Sequence, residues 1–74
     1  MEKHVEEKKS FLVKLGLRIK ELRKLKGMSQ QELAGGCNYE KASMSRIESG
    51  KTNSTIFTLK AISVVLQVQL AELF

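Results

Sequence analysis

The chain has 74 residues, with 13 Lys and Arg against eight acidic residues, all of them Glu, and a formal net charge of +5. A chain this short makes a single domain that buries only roughly 60% of its unfolded surface, and one cysteine with one histidine excludes an intrachain disulfide and a structural zinc site. The charge surplus favours an anionic partner, no apolar run is long enough to span a membrane, and residues 1–10 lack the apolar stretch of a secretion signal, so a soluble, cytoplasmic protein is expected.

Proline is absent, and the apolar residues recur at helical spacing, which predicts an all-α fold. Residues 2–9 hold three Glu, three Lys, one His and one Val. They read as a charged N-terminal extension (1–10), either a solvated prolongation of the first helix or a frayed tail, ahead of a domain covering 11–74. From Phe11, the residues Leu12, Leu15, Ile19 and Leu22 fall three or four apart, with Lys14, Arg18, Lys20, Glu21, Arg23 and Lys24 on the other faces. That pattern is an amphipathic helix ending at Gly27. In Ser29-Gln30-Gln31-Glu32 the Ser29 hydroxyl and the Glu32 carboxylate can each accept from the other's amide, with Met28 and Leu33 as a hydrophobic staple, so the second helix starts at Gln30. Gly35 and Gly36, each costing about 1 kcal/mol relative to Ala in a helix, and Asn38, suited to a left-handed turn, limit it to about two turns. A third helix is expected from Lys41 to Ser49, with Met44 and Ile47 inward, Tyr39 packing before its start, Glu40 as a poor cap and Gly50 as terminator. Thr55 caps a fourth helix with Ile56, Leu59, Ile62 and Leu66 inward, and Leu70, Leu73 and Phe74 read as a short fifth helix closing the core.

Two short helices joined by a turn of about four residues describe a helix-turn-helix. Four stretches carry a resemblance in order: Arg18 to Lys24 (RIKELRK), Lys26 to Ala34 (KGMSQQELA), Met44 to Lys51 (MSRIESGK) and Leu70 to Phe74 (LAELF). Together they resemble the Cro/C1-type (XRE) helix-turn-helix family over residues 12–74. The resemblance implies a compact five-helix, lambda-repressor-like DNA-binding domain, with the helix-turn-helix at helices 2 and 3. The chain departs from the family pattern at Gly35-Gly36, where helix formers are usual, at Glu40, where a Ser or Thr cap is usual, and at Phe57 and Val64, where polar residues are common.

A major groove about 12 Å wide admits one helix, whose exposed side chains near the N-terminus reach base edges. With Met44 and Ile47 inward, those are Lys41, Ala42, Ser45 and Arg46. Arg46 can donate two hydrogen bonds to guanine, Lys41 can do so less rigidly, and Ala42 can meet a thymine methyl; the resemblance likewise implies base reading at Lys41, Ala42 and Arg46. Ser43, at the edge of that face, suits a phosphate. Gln30, beside unpaired helix-terminal amides, is expected to hold a phosphate oxygen with a free side chain, as the resemblance also implies. Lys51, Thr52, Asn53 and Ser54 form a second candidate phosphate clamp. The resemblance further implies a structural ion pair between Arg23 and Glu48, and Cys37 is expected to fill core.

The sequence holds no nucleophile and acid-base set suited to catalysis and no phosphate-binding glycine loop followed by Lys, so no enzymatic activity and no cofactor are expected. RNA binding is disfavoured by the scarcity of stacking aromatics. A second copy of the chain is the expected partner, because Phe57, Ala61 and Val64 remain as an apolar stripe once the core is assigned, with Leu17 similarly unaccounted for. The reading is therefore a transcriptional regulator, a repressor or controller protein, bound as a homodimer to double-stranded DNA with an inverted-repeat operator. An antitoxin that also binds a toxin or other protein partner is the alternative.

Overall fold

A computed structural model describes residues 2–74, with side chains from Glu6 onward. Four α-helices follow one another, α1 (Glu2–Leu25), α2 (Gln30–Gly36), α3 (Lys41–Glu48) and α4 (Ile56–Leu66), and a 3-10 helix at Leu70–Leu73 closes the chain path. Among the described residues there is no strand, so the all-α expectation holds. The short fifth helix expected at the chain end is a single 3-10 turn, with Leu73 buried. A 24-residue helix is about 36 Å long, and α1 accordingly sets the long dimension of a body measuring 38 × 24 × 20 Å. Residues 2–10 of the charged extension belong to this helix, which continues upstream of Phe11 to Glu2.

Helix ends follow the local chemistry. Gly27 has φ 69° and turns the chain after α1. Ser29 then caps α2: its Oγ accepts from the Glu32 amide at 3.0 Å while Glu32 Oε1 accepts from the Ser29 amide at 2.8 Å. The Thr55 hydroxyl accepts from the Thr58 amide at 3.2 Å and starts α4 in the same way. Glu40, by contrast, precedes α3 without a side-chain cap bond.

Every element contributes to one core. Ile19, Leu33, Met44, Ile62, Leu66 and Leu73 are fully buried, and Met28, Cys37, Tyr39 and Leu70 pack against them from its edge. Cys37 fills space there as expected, and its partial burial pushes its thiol pKa up. Gly36 lies so close to α4 that a β-carbon would sit 2.8 Å from a Val65 methyl.

Two core assignments need correction. Ile56 is 64% exposed; it is the first residue of α4, about one turn ahead of Leu59, the first of the buried residues Leu59, Ile62, Ser63 and Leu66. Phe74 is exposed rather than core, its ring stacked on that of Phe11 at a centroid distance of 6.1 Å.

The Ser29–Glu32 box makes stability acid-sensitive. The backbone hydrogen bond from Ser29, then its hydroxyl contact, holds the Glu32 carboxyl below the usual carboxylate range. A depressed folded pKa stabilises the fold above the unfolded value and loses that contribution as pH falls through the folded one. Between about pH 5 and pH 3, wild type is therefore expected to lose more stability than Glu32→Gln, which keeps the hydrogen-bonding shape without titrating in that range. Denaturant melts at several pH values check this; parallel losses would show that the box contributes nothing through its charge.

Candidate nucleic-acid interface

Helix α3 is held by its inner face. Met44 and Ile47 are buried in the core, which leaves Lys41, Ala42, Ser45 and Arg46 exposed on the opposite side and Ser43 half-buried at its edge. The turn before α3 is set by Asn38, with φ 60°, and by the Tyr39 amide donating to the Ala34 carbonyl at 2.8 Å. The Tyr39 hydroxyl and Thr58 Oγ1 lie 2.8 Å apart, which links this turn to α4.

The far end of α3 is fixed by a buried ion pair. Arg23 and Glu48 are only 8% and 5% exposed, and the guanidinium donates twice to the carboxylate, Nε to Oε2 at 2.7 Å and Nη2 to Oε1 at 3.1 Å. Its remaining Nη1 donates to the Met28 carbonyl at 2.9 Å, just ahead of α2. Gln30 Nε2 adds a further bond to Glu48 Oε1 at 3.1 Å. The pair implied by the resemblance is therefore present, and Gln30 departs from expectation. Its side chain is half-buried and tied by one N–H rather than free, because the carboxylate it meets has acceptor capacity left after binding Arg23.

One determinant escaped the sequence reading. Gly16 sits mid-helix in α1 where a β-carbon would lie 2.6 Å from the Ile47 carbonyl oxygen and closer still to that of Glu48. Only glycine allows α1 and the end of α3 to approach backbone to backbone. Its signal was available, since a glycine inside an amphipathic helix costs about 1 kcal/mol relative to Ala and calls for a packing reason.

Beyond α3, Gly50 has φ 73°, and a β-carbon there would fall 2.7 Å from Val13 Cα. The following loop and α3 border a cleft of about 280 Å³ in which Arg46 and Ser43 face Thr52, Asn53 and Ser54. Lys51 and Asn53 are exposed and Thr52 is half-buried. The Ser54 hydroxyl is buried and has no partner among the described residues, so it supplies no exposed donor.

The apolar stripe of α4 stands clear of the core, with Phe57 77% and Val64 61% exposed and Ala61 half-buried between them. Leu17, 57% exposed, is not part of it. It lines a separate cleft with Lys20, Gln30, Ser45 and Ser49, because α1 packs on α3 and the 3-10 helix, and so turns this residue toward the exposed side of α3.

The helix-turn-helix family model HTH_3 matches residues 19–73. Over 63 residues, 84% of this chain and 85% of the relative, the sequence is 36% identical to the control protein C.MunI of a Mycoplasma species. The fold is similar to the restriction-modification controller protein C.AhdI from Aeromonas hydrophila, with a TM-score of 0.86 at 32% identity over 88% of this chain and 98% of that one. It is also similar to an HTH_3 family transcriptional regulator from Vibrio cholerae, with a TM-score of 0.84 at 30% identity over 90% of this chain and 38% of that one.

Removing one member of a buried pair abandons the other in a poorly solvated site, so Glu48→Ala is expected to cost about 3 kcal/mol, well above the range of about 0 to 1 kcal/mol for an exposed pair. In a double-mutant cycle with Arg23→Ala the coupling should reach about 1 kcal/mol or more. Additive losses in denaturant melts would dispose of the pairing as a stabilising unit.

Proposed function

Because the chain belongs to the Cro/C1-type helix-turn-helix family, we propose that it is a sequence-specific, duplex-DNA-binding transcriptional regulator of the controller type, acting as a homodimer on an inverted-repeat operator. The observation that carries this reading is the exposed face of α3, held rigid by Met44 and Ile47 from within and by Arg23–Glu48 at its end. The controller proteins among its relatives favour that role over an antitoxin. When bound, the protein would reside with the nucleoid.

In this proposal Arg46 makes a bidentate contact to guanine, Lys41 a second polar base contact, Ala42 an apolar contact to a thymine methyl, and Ser45 a hydrogen bond. Lys51, Thr52 and Asn53 take the backbone on one side with Ser43, and the remaining N–H of Gln30 takes a phosphate near the start of α2. The Arg23 pairing matters here as well: it neutralises Glu48, whose carboxylate would otherwise repel a polyanion.

The second copy would dock on α4. Phe57, Val64 and the neighbouring Ile56 form an exposed apolar face with Ala61, larger than a small soluble domain gains from leaving in water. Two-fold pairing there would set two recognition helices about 34 Å apart, one turn of DNA.

Gel shifts with duplex DNA and RNA of matched sequence test the reading first; duplex binding is expected, and equal retention of RNA would overturn it. On a specific site, Arg46→Ala should weaken binding by about 1 to 3 kcal/mol and relax preference at one base position. Lys51→Ala should weaken binding on every sequence and make the slope of log affinity against log salt shallower by about 1. Uniform loss in the Arg46 variant would reassign it to phosphate. In sedimentation at micromolar concentration the wild type is expected to dimerise and Phe57→Lys to remain monomeric; a variant that dimerises equally well would move the interface away from α4.

A further inference from the structure

The upstream end of α1 is not an isolated tail. A groove of about 600 Å³ runs between it and the loop after α3, with Lys8, Lys9 and Val13 on one side and Lys51, Thr52 and Asn53 on the other. Thr52 and Asn53 also border the cleft that holds Arg46, so the loop after α3 lines both depressions. The lysines are held at a set distance from the loop, because α1 and Gly50 approach so closely at Val13 that a β-carbon on Gly50 would clash. Lys9 lies four residues upstream of that contact, about 6 Å along the helix axis. Among the described residues three cations and no carboxylate line the groove; Glu6 and Glu7, exposed on the same helix, do not border it. Among the described residues, neither Lys8 nor Lys9 is engaged in an ion pair.

We propose that Lys8 and Lys9, together with Lys51, form a second grip on DNA that takes phosphodiester oxygens of the backbone next to the stretch read by α3. This rests on the duplex-binding reading above and deepens it: the extension enlarges the footprint on DNA without adding sequence preference. Duplex DNA is the occupant the charge calls for, since it carries one negative charge per about 1.7 Å of axis and α3 already directs it to the adjoining cleft. A lysine that seats on a phosphate releases condensed counterions and steepens the salt dependence of binding by about 0.9 per contact. One that stays in solvent does not.

The experiment compares the full chain with Lys8→Ala/Lys9→Ala on mixed-sequence duplex DNA and on a selected site, over a series of salt concentrations. Alanine is the best helix former, and circular dichroism verifies that α1 remains. The slope of log affinity against log salt is expected to become shallower by about 2, with the same fold-loss on both duplexes. Lys8→Arg/Lys9→Arg should keep the wild-type slope. Lys14→Ala, which removes a charge from the side of α1 near Phe11 and Phe74, should leave the slope unchanged. An unaltered slope in the double-alanine variant, while wild type still binds duplex, overturns the second grip alone. An equal loss per charge in Lys14→Ala does the same, by showing a diffuse field in place of contacts. A wild-type chain that binds no duplex even at low salt overturns both this inference and the function it rests on.

Discussion

The buried Arg23–Glu48 pair is the constraint on which the other parts of the molecule depend. One guanidinium reaches the end of α3 through two hydrogen bonds and the residue before the α2 cap through a third, and Glu48 in turn holds Gln30 at the start of α2. Three helices thus share one charged junction. Burying two ions costs several kcal/mol each in desolvation, so such a pair is a weak source of net stability and a strong penalty against structures that separate it. In a domain with little core, that selectivity fixes the angle at which α3 leaves α2. It also removes a negative charge from the surface that must approach a polyanion.

The same junction explains the demands on the neighbouring backbone. Arg23 brings α1 to the end of α3, and two turns upstream, at Gly16, the approach to the Ile47 and Glu48 carbonyls leaves no room for a β-carbon. The turn between α2 and α3 is tied to α4 by Tyr39 and Thr58, and α1 is tied to the 3-10 helix by Arg18 Nε donating to the Glu72 carbonyl at 2.8 Å. With both ends of α3 anchored, its exposed side chains have a fixed frame, and reading bases depends on that precision.

Much of this was legible in the sequence because it is local. The Ser29–Glu32 box, the left-handed positions at Asn38 and Gly50, and the inward Met44 and Ile47 each follow from residues within one turn of each other. The Arg23–Glu48 pairing spans 25 positions and came only through resemblance to a family. What failed was the assignment of faces to partners: helical spacing separates an apolar stripe from a polar one but does not say which element covers it. So Ile56 was placed in a core it does not reach, and Gln30 was taken as free when a carboxylate from another helix holds it. The upstream extent of α1 was open for a related reason. A run of mixed Lys and Glu has the same composition in a solvated helix and in a frayed tail.

In the proposed function these elements combine into one reading device, in which the fold orients α3, the loop after it and the upstream end of α1 supply positive charge, and α4 offers a face for a second copy. The most direct measurement of that claim is selection of bound duplexes from random-sequence DNA by the full chain. The account predicts enrichment of one motif with two-fold symmetry, its half-sites centred about 10 base pairs apart. Recovery of duplexes with no common motif would contradict it.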